Sequence, residues 1–183
     1  MFPGLLSLTL HATLSAPQPG GACIFAGATL RNHTGGLVGC QRFAGRQVAL
    51  YFAGEWCPLC RRFTPALRQF HSRYADSVDI VFVSSDSSAE EAQQHFEHGQ
   101  GDWVALDWAD PLSAKLKRQH RVWSGREVMQ FGMNRRSGVP AVVVVDSAGG
   151  EVAFMAAERD GASALKSYRS DWRRWPVELA DEL

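Results

Sequence analysis

Cys57 and Cys60 are separated by two residues in the run Gly54-Glu55-Trp56-Cys57-Pro58-Leu59-Cys60. On a helix this spacing sets the two thiols one turn apart, where they can close into a disulfide and reopen. Such chemistry needs an activated first sulfur, because the thiolate and not the thiol attacks a disulfide. A helix that begins at the motif supplies the activation, since its unpaired N–H groups and the positive end of its dipole favour the anion. Thiol pKa values of about 3.5–7.5 are typical of such positions. Cys57, expected to lie exposed at the helix start, is the candidate nucleophile, and Cys60 the buried resolving thiol. Trp56 gives the pair a flat apolar wall. Pro58 has no N–H to lose in the first helical turn and stiffens it.

A second piece is Gly138-Val139-Pro140, just before the run Ala141-Val142-Val143-Val144-Val145. If the Val139–Pro140 bond is cis, the Val139 backbone is left open beside the cysteines, where an extended substrate segment can pair with it. Val139 and Pro140 therefore join Trp56 and Pro58 as candidate substrate-binding residues. The competing reading of Cys57 and Cys60 is half of a zinc site, completed by Cys23 and Cys40. No second C-x-x-C or C-x-x-H pair exists, and the aromatic, proline-containing context favours redox work with no metal. Taken alone, Cys23 and Cys40 read as incidental or small core residues and not as a disulfide. His95 and His98 read as a solvated helix face, and His71 and His120, in helical, polar surroundings as well, receive no role.

The elements that must position these groups follow from the hydrophobic pattern. Val48–Ala53 and Val78–Ser84 are continuous apolar runs, as in strands buried on both faces. After Cys60, Phe63, Leu67, Phe70 and Tyr74 recur at helical spacing, and Pro65 should kink that helix. Ser88-Ala89-Glu90-Glu91 opens a helix with a capping box, and Asp110-Pro111 opens another. Pro140–Asp146 is a strand that turns through Ala148-Gly149-Gly150 into a partner over Glu151–Met155. Ala28 to Gln47 reads as a hairpin region with its turn at Asn32–Gly36. Leu165, Tyr168, Trp172 and Trp175 mark a closing helix, while Trp103 and Trp108 read as packing residues. This order gives an α/β domain with a central mixed sheet and helices on both faces.

The run Tyr51-Phe52-Ala53-Gly54-Glu55-Trp56-Cys57-Pro58-Leu59-Cys60-Arg61-Arg62-Phe63-Thr64-Pro65 resembles the tryparedoxin/nucleoredoxin branch of the thioredoxin superfamily. Val81–Asp86, Trp103, the hairpin over Ile24 to Gln47 and Val139-Pro140 extend the resemblance, which covers roughly Ile24 to Trp175. It implies a thioredoxin-like three-layer α/β/α fold, and a thiol–disulfide oxidoreductase that reduces protein disulfides through Cys57 and Cys60 with no cofactor. It also implies disulfide-containing protein substrates such as peroxidases, and a low-molecular-weight dithiol or a reductase as electron donor. Nucleoredoxins engage signalling proteins, which gives the alternative of a redox-sensitive binding module. Tyr51 stands where ordinary thioredoxins carry a buried Asp, so water or Glu55 would have to assist Cys60. Leu59 replaces the branch's second proline, and residues from about 121 to 133 form an apparent insertion before the Val139-Pro140 loop, where partners dock.

Composition narrows the surroundings. Lys and Arg total 19, as do Asp and Glu, so the formal net charge is zero and neither nucleic acid nor a membrane surface is expected as a partner. No apolar run approaches the roughly 18–20 residues that span a bilayer. Residues 1–22 form an uncharged extension read as a targeting or disordered segment, and 23–183 form the thioredoxin-like domain. One C-x-x-C pair and two isolated cysteines suit the cytoplasm. The sequon Asn32-His33-Thr34 and the C-terminal Ala180-Asp181-Glu182-Leu183 make a weaker case for the secretory pathway.

Overall fold

The apolar runs become the centre of a six-stranded sheet in the computed structural model, which describes residues 23–166. The strands are β1 (Leu30–Arg31), β2 (Gln47–Ala53), β3 (Val78–Ser84), β4 (Val104–Leu106), β5 (Ala141–Val145) and β6 (Glu151–Met155), in the spatial order β1-β4-β3-β2-β5-β6. The helices are α1 (Pro58–Tyr74), α2 (Ala89–Gln94), α3 (Pro111–His120), α4 (Val128–Phe131) and α5 (Ala157–Asp160). β2 pairs parallel with β3 and antiparallel with β5, so the sheet is mixed. The expected extension over 1–22, and Tyr168, Trp172, Trp175 and the C-terminal tail, lie outside the described residues.

Two successive crossovers in one direction, β2–α1–β3 and β3–α2–β4, must put both helices on one face if both are right-handed. The aromatic contacts agree. Tyr51 and Phe82 are register partners and share a face. The ring of Phe63 in α1 lies 5.8 Å from Tyr51, and Phe96, just after α2, stacks 6.1 Å from Phe82. The chain must then return past β2 to reach β5, and α3 makes that return on the opposite face. There Leu116 and His120 line a cavity with Val145, whose register partner Val48 points away from Tyr51. The result is three layers, with every residue of β3 and β5 buried.

Local signals were met at most boundaries. Ser88 Oγ accepts the Glu91 amide at 3.1 Å, and Asp110 Oδ1 accepts the Leu112 amide at 2.9 Å. α1 runs through Pro65 as one element. Asn32 Oδ1 accepts the amides of Thr34 and Gly36, forming the expected turn. Asp79, buried in β3, is matched by Arg42 and Arg46 at 3.1 and 2.6 Å, which ties the segment before β2 to the sheet.

Four expectations are corrected. Cys23 and Cys40 are not isolated thiols but form a disulfide, their Cα atoms 5.9 Å apart, because the turn at Cys23–Ala26 folds back onto the short helix at Cys40–Phe43. His95 is not solvated: the chain tightens into a π-helical turn over His95–Gly99 and buries its ring against Phe82. His120 is buried also, its Nδ1 3.1 Å from Glu151 Oε2. Trp103 is a core residue, but Trp108 is exposed and donates its indole N–H to the Asp86 carbonyl.

Candidate redox site

β2 ends at Ala53 in the middle of the sheet, and the chain turns through Gly54–Trp56 into α1. Ligands of open α/β sheets gather at this carboxyl edge. Cys57 is the N-cap of α1, in extended backbone geometry, and Pro58 occupies the first helical position. The Cys60 amide donates to Cys57 Sγ at 3.2 Å, so the sulfur takes the place of an N-capping oxygen. Its pKa is lowered to about 6, first by the hydrogen bond from the Cys60 side chain and then by the amides of Cys60 and Leu59, which outweigh burial. Burial pushes the Cys60 thiol far up, and its neighbour Cys57 adds to the shift. The two sulfurs thus differ as the sequence reading required, one held as an anion and one as a reserve thiol.

One expectation about the nucleophile changes. Cys57 is 4% exposed and Cys60 0%, so the first sulfur lies under the surface. The loop from β5 crosses it: the Val139–Pro140 bond is cis, and the Val139 carbonyl lies 3.5 Å from Cys57 Sγ, where it accepts from the thiol form. Val139 and Pro140 therefore stand against the nucleophile. Trp56 lies on the other flank, held by its indole N–H to the Ser85 carbonyl at 3.0 Å. All six residues singled out from sequence (Trp56, Cys57, Pro58, Cys60, Val139 and Pro140) meet at one place.

Beneath Cys60, Tyr51 is buried and its phenol is pushed above the usual range by desolvation. Its hydroxyl pairs with Thr64 Oγ1 at 2.9 Å, and Thr64 donates to the Cys60 carbonyl at 2.8 Å. Glu55 does not turn toward Cys60. Its carboxylate lies 3.5 Å from His95 Nε2 and is half-exposed. The carboxylate whose charge reaches Cys60 is the buried Asp86, which accepts the Glu55 amide at 2.7 Å and the Ser84 hydroxyl at 2.8 Å, with His95 Nδ1 2.9 Å away. Burial pushes Asp86 up, but these partners outweigh it and hold the carboxyl below its ordinary range. Glu158 is the second group that sequence reasoning missed. It accepts the Gly138 amide, and its charge raises the Cys57 pKa. A polar Ser84-Ser85-Asp86 run directly after a buried strand, at the carboxyl edge, was a usable signal for Asp86. Glu158, 101 positions beyond Cys57, carried no such signal.

The insertion folds into a short helical segment. The Glu127 carboxylate caps its start by accepting the Ser124 amide, and α4 closes it. Arg126 from this segment stacks over Trp56, its guanidinium carbon 4.1 Å from the ring centroid. Among the described residues no group of three or more His, Cys, Asp or Glu is placed to hold a metal ion, and Cys23 and Cys40 are committed to each other. No helix among them is long and apolar enough to cross a membrane.

Residues 45–152 match the sequence pattern of the thioredoxin-like family. Tryparedoxin of Trypanosoma brucei brucei is 37% identical over 82 residues, 44% of this chain and 56% of that protein. Nucleoredoxin of Mus musculus is 30% identical over 129 residues, 69% of this chain and 26% of that protein. The matches thus span about a quarter of that nucleoredoxin and just over half of that tryparedoxin. Among solved structures, tryparedoxin II from C. fasciculata superposes with a TM-score of 0.59 at 23% identity, covering 84% of this chain and 91% of its own. Tryparedoxin II has also been solved in complex with glutathionylspermidine. The three-layer fold expected from sequence is the fold of these neighbours.

Proposed function

Because the chain belongs to the thioredoxin-like family, in its tryparedoxin/nucleoredoxin branch, we propose that it reduces protein disulfides with Cys57 and Cys60. The observation that carries the reading is Cys57 Sγ capping α1, with its pKa lowered to about 6, and lying 3.5 Å from the Val139 carbonyl. The Cys57 thiolate attacks one sulfur of a substrate disulfide, forming a mixed disulfide and releasing the other sulfur as a thiolate. Cys60 gives up its proton and attacks Cys57, closing the Cys57–Cys60 disulfide and releasing the second substrate thiol. Two electrons have passed to the substrate, and a low-molecular-weight dithiol or a reductase returns them. The backbone of Val139 and the faces of Trp56, Pro58 and Pro140 hold the substrate segment. Disulfide-containing proteins such as peroxidases are the substrates we expect.

The test is insulin reduction with two variants. Cys57→Ser abolishes turnover, and Cys60→Ser accumulates covalent mixed disulfides. Full activity in Cys57→Ser overturns the proposal. A single C-x-x-C pair supports reading the protein as cytoplasmic, whereas a Cys23–Cys40 disulfide is characteristic of oxidising compartments. Fractionation of cells whose thiols are blocked before lysis decides by reporting both the compartment and the state of that pair.

A further inference from the structure

We propose that residues 124–133 form a methionine-bearing ledge against Trp56, which selects partner proteins whose target cysteine lies in an acidic segment, with Arg126 meeting the carboxylate. The inference rests on the dithiol reading above and names the class of substrate for that same site.

The ledge is rigidly built from within. Glu127 Oε2 accepts the Ser124 amide at 2.8 Å, and its other oxygen lies 2.5 Å from Lys117 Nζ. Lys117 is itself buried and donates to the Ser84 carbonyl at the end of β3. Trp123 donates its indole N–H to the Gly132 carbonyl at 3.0 Å and packs on Phe131. With the polar and aromatic groups turned inward, the segment presents Arg126, Met129 and Met133 outward. Met129 is 98% exposed and Met133 82%. Methionine is the side chain that adapts to varied partners with least loss of fit, and here two stand free on an anchored support.

Charge decides the partner. Between Lys115 and Arg136 the chain carries seven Lys and Arg against one carboxylate, Glu127. Lys117, Arg135 and Arg136 are matched by Glu127, Glu158 and Glu151. Arg126 has no carboxylate partner among the described residues, and its guanidinium lies over the face of Trp56. Stacking holds the guanidinium over Trp56, the residue before the nucleophile, and a planar fork of this kind suits a carboxylate. A strand laid along Val139 therefore meets a cation on the Trp56 side.

The test uses disulfide-linked peptides that differ only in the residue flanking the cysteine: Glu, Gln or Lys. The wild-type protein is expected to favour Glu over Gln by about fivefold in kcat/KM at low ionic strength, carried in KM and shrinking with salt. Arg126→Glu is expected to invert the Glu–Lys order. An equal rate for Glu and Gln peptides in the wild type, or an order that Arg126→Glu leaves unchanged, overturns the proposal. Turnover of the uncharged bis(2-hydroxyethyl) disulfide by the wild type tests the dithiol reading separately. Its absence overturns both, whereas its presence without acidic preference overturns this proposal alone.

Discussion

Glu158 accepts the Gly138 amide at 2.6 Å while its other oxygen lies 3.5 Å from Arg135, so α5 holds the loop that crosses the nucleophile. One carboxylate thus sets both the position of the Val139 carbonyl and part of the field at Cys57.

Replacing Glu158 separates those two effects. Glu158→Ala leaves the buried Gly138 amide without its acceptor and should cost about 1–3 kcal/mol, read by urea unfolding. Glu158→Gln keeps an acceptor and should cost less. Both remove a negative charge that opposes the thiolate, so in both the Cys57 pKa should fall below about 6. Thiolate absorbance against pH checks this, and an unchanged or raised value would contradict it.

The two thiols should titrate far apart. In the reduced protein one cysteine is alkylated by iodoacetamide with a midpoint near pH 6, and the other stays protonated well beyond the ordinary thiol range. The Cys57 pKa is depressed on folding from 9.0 to about 6, so its stabilising contribution is full above pH 9 and is lost as pH falls through about 6. Unfolding of reduced wild type and Cys57→Ser across that range should converge at the acid end.

Gly54→Ala should displace Trp56. A Cβ at Gly54 would lie 2.6 Å from the indole Nε1 and 3.0 Å from Cε2, on a ring already tied to Ser85. Overpacking of this sort costs about 1–3 kcal/mol. The expected readouts are a shift in Trp56 fluorescence and a loss of turnover in protein that remains folded.

The reach of sequence reasoning here follows the range of the interactions. The C-x-x-C turn, the N-capping Asp110 and the Val-rich β5 are local, and each was legible from a few neighbouring residues. Val139 and Pro140 were legible from an X-Pro step just before a Val-rich strand, although their contact with Cys57 spans 82 positions. Glu158 and the stacking of Arg126 on Trp56 depend on where loops land, which periodicity does not report. His95 was misread because its neighbours Glu91, Glu97 and His98 are polar, while the turn that buries it is a π-helical irregularity.

Removing the Cys23–Cys40 disulfide should loosen the segment before β2. The bond spans 17 residues, and loops of that size give about 3 kcal/mol in the chain-entropy treatment. The doubly substituted Cys23→Ser, Cys40→Ser protein should unfold at lower urea. An unchanged midpoint would show that Arg42 and Arg46 on Asp79 suffice to hold that segment.

The phenol of Tyr51, locked to Thr64 and unable to ionise in the ordinary range, makes the floor under the cysteines an insulator. A proton leaving Cys60 therefore finds no acceptor in the phenol beneath it.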